Sequence, residues 1–162
     1  MKILIVSDTH RRDTNLEKVL AVEKPIDWLI HLGDVEETEG RIQSMVDCPV
    51  DIVSGNNDFF WDLPKEKDIM LGKYRALLTH GHYYYVSLDT KMLAREARAR
   101  GFDIAMFGHT HRPKLENRDG LILLNPGSLS YPRQEGRKPS YIVMEIDENG
   151  QANFEIKYLK NS

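Results

Sequence analysis

The sequence has little cysteine, no long hydrophobic run and no excess of positive charge. Cys48 is the single cysteine among 162 residues, so no disulfide can form within the chain. No apolar stretch approaches the roughly 20 residues that a membrane-spanning helix needs, and the short apolar start shows no signal-peptide pattern. The formal net charge is −3, which does not indicate stable binding to nucleic acid. These absences predict a cytoplasmic protein without a membrane anchor.

The length predicts one domain with its own hydrophobic core, spanning residues 1–162. The first half alternates strand-like and helix-like patterns. Strands are predicted over 2–6, 27–32 and 50–53, and helices over 13–24 and 36–46. Leu16, Val19, Leu20 and Glu23 recur at helical spacing in the first of these helices. This order predicts an α/β fold whose first sheet is parallel, with right-handed crossovers.

The second half is richer in short strands. A hairpin is predicted from the apolar runs 69–71 and 76–79, and a helix is predicted over 88–100 with Leu88, Met92 and Ala99 on one flank. Further strands are predicted over 103–107, 114–117, 121–125, 140–147 and 153–159. Asp119-Gly120 and Asn149-Gly150 are hairpin turn signals. The second sheet is therefore expected to be more antiparallel than the first.

Five polar clusters follow the predicted strands. They are Asp8-Thr9-His10, Gly33-Asp34, Gly55-Asn56-Asn57-Asp58, His80-Gly81-His82 and Gly108-His109-Thr110-His111. Side chains that follow several strand ends converge on one edge of a sheet, where open α/β folds bind ligands. Asp, Asn and His are ligands of divalent metals. Together the clusters predict a site for two metal ions.

Each cluster also has a simpler explanation when it is taken alone. Asp8 and Asp34 suit helix caps, and residues 55–58 suit a turn. The histidines favour the metal site, because five of the six lie within the clusters. His31 is the exception: it lies inside the predicted strand 28–32, and we interpret it as a packed, hydrogen-bonded core residue.

The ordered motifs D-x-H, G-D, G-N-x-D, H-G-H and G-H-T-H, with Leu124-Asn125-Pro126-Gly127-Ser128 near the end, resemble those of the calcineurin-like metallophosphoesterases. The most similar group is the small YfcE-type phosphodiesterases of bacteria and archaea. The resemblance implies a four-layer α/β/β/α sandwich with two mixed sheets. It implies one metal held by Asp8, His10, Asp34 and His111, and a second held by Asp34 as a bridge with Asn56, His80 and His109.

The resemblance also implies a phosphodiesterase in which a hydroxide between the two metals attacks a small phosphodiester. The nitrogen and oxygen ligands suit Mn²⁺ first, with Fe²⁺, Ni²⁺ or Zn²⁺ as alternatives. We assign catalytic roles to Asp34, Asn57, Asp58 and His82. Larger relatives carry a histidine where this chain has Asn57, which cannot act as an acid at neutral pH. The leaving group then depends on its own acidity, on His82 or on a metal-bound water, and His82 is alternatively an orienting partner.

The substrate side is less defined by the sequence. Asn125, Gly127 and Ser128 are predicted to bind substrate, with a structural turn as the alternative. Arg11, Arg12 and Arg133 are candidates for the extra positive charge that a monoester requires. The alternative functions are therefore a phosphomonoesterase or nuclease on the same metals, or a protein-binding scaffold like the retromer subunit of this fold.

Two aromatic runs, 59–61 and 83–85, are candidates for stacking on a base or for a subunit contact. Either run is compatible with a homodimer or homotetramer.

Overall fold

The fold is taken from a computed structural model that describes residues 1–58 and 62–160. The aromatic run at 59–61 lies outside the described residues. Ten strands and three α-helices follow one another in the order β1 (Lys2–Val6), α1 (Thr14–Glu23), β2 (Trp28–His31), α2 (Glu39–Ser44), β3 (Val50–Ile52), β4 (Glu66–Leu71), β5 (Tyr74–Thr79), α3 (Lys91–Ala99), β6 (Ile104–Met106), β7 (Pro113–Arg118), β8 (Leu121–Pro126), β9 (Ser140–Ile146) and β10 (Ala152–Tyr158). A short 3₁₀ helix spans His82–Tyr84. In this part of the chain, no helix combines the length and hydropathy needed to cross a membrane.

The strands form two mixed sheets of five strands each, in the orders β10-β9-β1-β2-β3 and β4-β5-β6-β8-β7. The predicted parallel alignment of β1, β2 and β3 is confirmed. The expected contrast between a parallel first sheet and a more antiparallel second one is wrong. The β9–β10 hairpin joins the first sheet beside β1, and the second sheet contains the parallel pairs β5–β6 and β6–β8. Strand β9 is buried along almost its whole length because it lies between β10 and β1.

Three layers of apolar side chains hold the sandwich together. Between the sheets, Ile3 and Ile5 of the first sheet share a fully buried cluster with Leu78 and Met106 of the second. Helices α1 and α2 cover the outer face of the first sheet, and α3 covers the outer face of the second. The resulting order is helix, sheet, sheet, helix. The predicted four-layer α/β/β/α architecture is thus confirmed.

Two helices differ from their predicted extent. Helix α3 begins at Lys91, so Leu88 lies in the preceding loop and is 85% exposed. Its buried side is formed by Leu93, Ala94 and Ala97. The predicted flank of Leu88, Met92 and Ala99 is wrong, because Leu88 lies outside the helix and Met92 and Ala99 are exposed on the side away from β6 and β8. Helix α2 is shorter than predicted because Glu36 and Glu37 adopt positive φ angles, 53° and 78°.

Replacing the fully buried Ile3 by alanine should destabilise the fold without changing the polar edge of the sandwich. Ile3 lies at the opposite end of β1 from Asp8, in the layer between the sheets. We expect a loss of about 2–5 kcal/mol in the free energy of unfolding, measured by urea denaturation. Val22→Ala is the control, since Val22 is 70% exposed on α1 and should change stability by no more than about 0.5 kcal/mol. Equal stability of the two variants would contradict the assigned core.

Candidate metal centre

The polar clusters lie together at one edge of the sandwich. Asp8, Asp34 and Asn56 follow the carboxyl ends of β1, β2 and β3, the three parallel strands of the first sheet. His80 and His109 follow β5 and β6 of the second sheet. The two sheets therefore contribute side chains to a single centre, as the strand-end pattern predicts.

A first group of four residues could hold a metal ion. One potential ligand atom from each of Asp8, His10, Asp34 and His111 lies within 4.8 Å of the other three. Nε2 of His111 is 3.3 Å from Oδ1 of Asp8, and Nε2 of His10 is 3.2 Å from Nε2 of His111. Two carboxylates and two imidazoles in this arrangement match the nitrogen and oxygen ligands that divalent metals take in proteins.

A second group is formed by Asn56, His80 and His109. The Asn56 carbonyl Oδ1 lies 2.9 Å from Nε2 of His80 and 3.1 Å from Nδ1 of His109. Nε2 of His80 is also 3.4 Å from Oδ2 of Asp34. The same Asp34 oxygen lies 3.6 Å from Nε2 of His10 in the first group. Asp34 thus stands between the two groups.

The outer ring nitrogens of three histidines contact other groups, which directs their inner nitrogens to the centre. Nδ1 of His80 donates to the carbonyl of Leu32 and Nδ1 of His111 to that of Tyr131, both at 2.7 Å. Nδ1 of His10 lies 3.4 Å from the Glu36 carboxylate. In the neutral form of each ring, such contacts fix the tautomer and leave a lone pair on Nε2 for a metal. Glu36 is not among the site residues predicted from the sequence, and its position two residues after Asp34 is the one signal that indicates it.

Asp8 provides a direct test of whether the centre fits a cation. It is fully buried, and its Oδ2 accepts hydrogen bonds from Oγ of Ser7 at 2.6 Å and from the backbone N–H of His109 at 3.1 Å. Within residues 1–58 and 62–160, its Oδ1 has no hydrogen-bond partner. A buried carboxylate oxygen without a partner is unfavourable, so this atom is suited to a positive ion. The residues therefore fit a bound metal.

The charged groups of the centre shift one another's pKa values. Burial opposes the charged form of His80, but Asp8 and Asp34 outweigh it and raise the pKa of His80 to about 9. Burial likewise opposes ionisation of Asp34, but His80 and the hydrogen bonds from Asn57 hold the Asp34 pKa well below its usual range. Burial together with His80 and His109 lowers the pKa of His82 to about 4. At neutral pH the metal-free centre thus carries two carboxylates and an imidazolium, while His82 is neutral.

The backbone is turned sharply at the ligand positions. Five of the predicted ligands have positive φ angles: Asp8 (55°), His10 (47°), Asp34 (60°), His109 (73°) and His111 (61°). Residues other than glycine adopt this conformation rarely and at a cost in free energy. All five positions lie at the same edge of the sandwich. Contacts with the surrounding fold must therefore offset the cost in free energy of these backbone conformations.

Gly55 allows two of the loops to approach each other. A Cβ atom at this position would overlap the carboxylate and the backbone nitrogen of Asp34. The segment 55–58 is a turn, as its composition suggests. Because its backbone lies so close to Asp34, it also helps to hold this side chain in place.

Gly55→Ala should displace Asp34 and weaken metal binding. We expect at least a tenfold loss in affinity for Mn²⁺, of the order found when groups that orient metal ligands are removed, about 10- to 100-fold. Isothermal titration calorimetry of the metal-free protein measures this loss. Gly40→Ala in α2 is the matched control, because a Cβ there meets no atom within 4 Å. Unchanged Mn²⁺ affinity in Gly55→Ala would show that the contact with Asp34 is not needed.

The predicted catalytic residues surround Asp34 and the second group. The backbone N–H and side-chain amide of Asn57 donate to the two Asp34 carboxylate oxygens, at 2.9 and 3.0 Å. Asp58 accepts hydrogen bonds at 2.8 Å from the backbone of Asp34, Gly55 and Glu36. The His82 ring lies 5.4 Å from that of His80, between ring centroids. Asn57 and Asp58 thus hold Asp34 and its loop in position.

The three predicted substrate-binding residues do not line the open side of the centre. Asn125, Gly127 and Ser128 are buried, and their polar atoms bond to neighbouring loops. The Asn125 amide donates to the carbonyl of Gly108 at 3.1 Å, and the Ser128 hydroxyl donates to that of Asp8 at 2.8 Å. These contacts favour the alternative interpretation of a structural turn, one that supports the loops carrying Asp8 and His109.

Three further polar residues noted in the sequence, His31, Arg11 and Arg12, make contacts with other groups. His31 is fully buried, its Nε2 lies 3.0 Å from the Thr9 hydroxyl, and its Nδ1 accepts from the N–H of Gly33; its predicted core role is confirmed. Arg11 pairs with Glu37, and the Arg12 guanidinium lies over the Tyr131 ring. Neither arginine contacts a predicted metal ligand through these interactions.

Of the second aromatic run, Tyr83 and Tyr85 are exposed, whereas the Tyr84 hydroxyl donates to Glu66.

The fold and this constellation define a metallophosphoesterase-like protein. Residues 1–149 match the calcineurin-like phosphoesterase superfamily domain, and the chain belongs to that superfamily. Its relatives include "Probable metallophosphoesterase YsnB" of Bacillus subtilis, 32% identical over 169 residues that cover 99% of this chain and 98% of the relative. Phosphodiesterase YfcE of Escherichia coli is 29% identical and the match covers 91% and 89% of the two chains. The chain is thus a phosphoesterase-family hydrolase.

A solved structure shares the fold at lower sequence identity. Vps29 of Entamoeba histolytica, solved in complex with Zn²⁺, has a TM-score of 0.77 and 23% identity, and the match covers 98% of this chain and 99% of that one. This likeness shows the fold alone.

Proposed function

We propose that this protein is a metal-dependent phosphodiesterase that hydrolyses a small phosphodiester with two divalent ions. Asp8, His10, Asp34 and His111 would hold one ion, and Asp34, Asn56, His80 and His109 the other. The observation that carries the proposal is the position of Asp34 Oδ2, 3.6 Å from His10 Nε2 and 3.4 Å from His80 Nε2. One carboxylate oxygen facing both groups is the arrangement that a shared ligand requires.

Two divalent ions held by these residues would supply positive charge for the phosphate oxygens and would activate a water for attack. The residues of the chain orient these ligands. Asn57 donates to both oxygens of Asp34 and so fixes the plane of its carboxylate. The nitrogen and oxygen donors suit Mn²⁺, with Fe²⁺, Ni²⁺ or Zn²⁺ as alternatives.

Of the proposed catalytic residues, neither Asn57 nor His82 provides a general acid that could protonate the leaving group. The Asn57 amide does not donate a proton as an acid. The pKa of His82, lowered to about 4 by burial and by its histidine neighbours, leaves this ring without a proton to give at neutral pH. Departure of the leaving group should therefore depend on its own acidity. Rates on a series of aryl diesters should rise as the pKa of the leaving phenol falls, and equal rates would indicate another acid.

A direct assay tests the proposal against its alternatives. The protein is stripped of metal, reloaded with Mn²⁺ and assayed with bis(p-nitrophenyl) phosphate beside p-nitrophenyl phosphate. Mn²⁺-dependent turnover that is faster on the diester supports the proposal, and the opposite order indicates a phosphomonoesterase. Absence of turnover on both, with Asp34→Ala equal to wild type in metal content, would indicate a binding scaffold with the fold of Vps29.

A further inference from the structure

A cleft of about 710 Å³ opens beside the first group of proposed metal ligands. His10 and His111 lie on its wall, so a molecule that reaches the centre can extend into it. Three arginines, Arg112, Arg133 and Arg137, also line the cleft. Glu36 is the acidic residue of this lining, and its carboxylate lies beside Nδ1 of His10 at 3.4 Å. The cleft is therefore strongly positive next to the proposed reaction centre.

The charges of these arginines are available to a ligand. Among the described residues, none of the three has a carboxylate within ion-pair distance, whereas Arg75 and Arg100 elsewhere on the surface pair with Asp68 and Glu66. The whole chain carries a formal net charge of −3, so this local positive charge is not a reflection of composition. Unpaired arginines gathered in a concave surface attract and bind anions.

The loop that carries Arg133 is fixed to the centre. Its backbone N–H donates to the carbonyl of His111 at 3.1 Å, and the carbonyl of Tyr131 accepts from Nδ1 of His111 at 2.7 Å. The backbone of Tyr131 is held in turn by the Ser128 hydroxyl at 2.8 Å. The base of the Arg133 side chain thus has a defined position relative to a proposed metal ligand, as a specificity residue requires.

Arg112 and Arg133 also line a second cavity, of about 810 Å³, whose lining does not include His10. Lys91, Lys114, Arg118 and Asp89 line this second cavity, and Glu116 pairs with both Lys114 and Arg118, at 3.5 and 2.6 Å. Arg112 and Arg133, which line both cavities, are therefore the arginines of this second cavity without a carboxylate partner among the described residues.

We propose that the substrate is a phosphodiester that carries a second phosphate group, and that Arg112 and Arg133 bind this second group. The proposal rests on the proposed phosphodiesterase function and names the class of its substrate. A guanidinium presents parallel N–H donors that match the oxygens of a phosphate, and such charge-assisted hydrogen bonds are stronger than neutral ones. A diester without further charge would leave these arginines unused. Arg112 and Arg133 are thus the residues that select the substrate.

The test uses two matched diesters that differ by one phosphate. Thymidine 5′-(p-nitrophenyl phosphate) is compared with its 3′-phosphorylated form on the Mn²⁺-loaded protein. Wild type should prefer the 3′-phosphorylated diester in kcat/KM by about tenfold or more, mainly through KM. The double variant Arg112→Gln/Arg133→Gln should lose most of this preference. Arg95→Gln, an exposed arginine on α3 outside both cavities, should keep it.

A binding measurement separates this proposal from the proposed function. Calorimetry compares thymidine 3′,5′-bisphosphate with thymidine 5′-monophosphate, and needs no turnover. Tighter binding of the bisphosphate by wild type, lost in the double variant, supports the arginine site even if neither diester is hydrolysed; in that case the phosphodiesterase function alone fails. Equal binding of both nucleotides by wild type, or an unchanged difference in the double variant, would overturn the arginine site.

Discussion

Asp34→Asn should lower the metal-dependent turnover of an aryl phosphodiester by on the order of a thousandfold. The substitution keeps the shape of the side chain and removes the charge of the proposed shared ligand. Asparagine retains a carbonyl oxygen that can accept from the N–H of Asn57, as Oδ1 of Asp34 does at 2.9 Å. The fold should therefore persist while the centre loses the carboxylate oxygen that faces both His10 and His80.

The measurements are kcat/KM and the metal content of each chain after reloading with Mn²⁺. Wild type should hold two ions and Asp34→Asn one or fewer. Asp51→Asn is the matched control: Asp51 is a half-buried carboxylate on β3 that bonds to Trp28 and Lys67, each at 2.7 Å. Its loss should leave both quantities near the wild-type values. If Asp34→Asn kept two ions and most of its activity, Asp34 would not be a shared ligand.

The strand-end clusters could be predicted because their signal is local. Each of Asp8, Asp34 and His80 follows an apolar run that is long enough for a buried strand, and parallel neighbours bring such ends together. The core role of His31 was predicted for the same reason, since its apolar neighbours define the strand that contains it.

The sheet to which β9 and β10 belong could not be predicted, because pairing between distant strands is decided by the whole core. Ile3 and Met144 face each other in the β1–β9 ladder although most of the chain lies between them. The turn signal at Asn149-Gly150 predicts the hairpin but not its neighbour. The same limit explains the wrong flank of α3, whose buried stripe depends on where the helix meets the second sheet.

The contacts that support the centre could also not be predicted from the sequence. The sequence predicts that Asn125 and Ser128 bind substrate or form a structural turn, and their hydrogen bonds to Gly108 and Asp8, which connect segments far apart in the chain, favour the turn. Glu36 and Arg112 likewise reach the centre through loops whose residues have positive φ angles, and no periodic pattern in a sequence predicts such conformations. Arg133, in contrast, is already a sequence candidate for positive charge near the substrate. The polar residues at the strand ends are therefore easier to predict than the residues that position them or that extend the site.

Metal binding to this protein should release a proton from His80 at neutral pH. Without metal, the pKa of His80 is raised to about 9 by Asp8 and Asp34 against the opposing effect of burial, so the ring is an imidazolium. A histidine that binds a metal must be neutral. The apparent affinity for Mn²⁺ should therefore rise about tenfold with each unit of increase in pH until the pH reaches the His80 pKa. Above that pKa the affinity should level off.

The free energy of unfolding of the metal-free protein should fall as the pH rises, whereas the affinity for Mn²⁺ should increase. The folded-state pKa of His80 lies above its ordinary value of 6.5, so the ion pairs of this ring stabilise the metal-free fold below pH 6.5. That stabilisation is lost as the pH rises through about 9. The rise in melting temperature on adding Mn²⁺ should therefore grow between these two pH values.

Calorimetry in two buffers of different ionisation enthalpy, PIPES and Tris, gives the number of protons released on binding. His80→Asn removes the titrating ring and should release about one proton fewer than wild type. His82→Gln is the matched control within the same cluster, because the pKa of His82, lowered to about 4, leaves it no proton to release at neutral pH. Mn²⁺ binding that released no proton in wild type, or released as many in His80→Asn, would show that His80 is not a ligand that exchanges its proton for the metal.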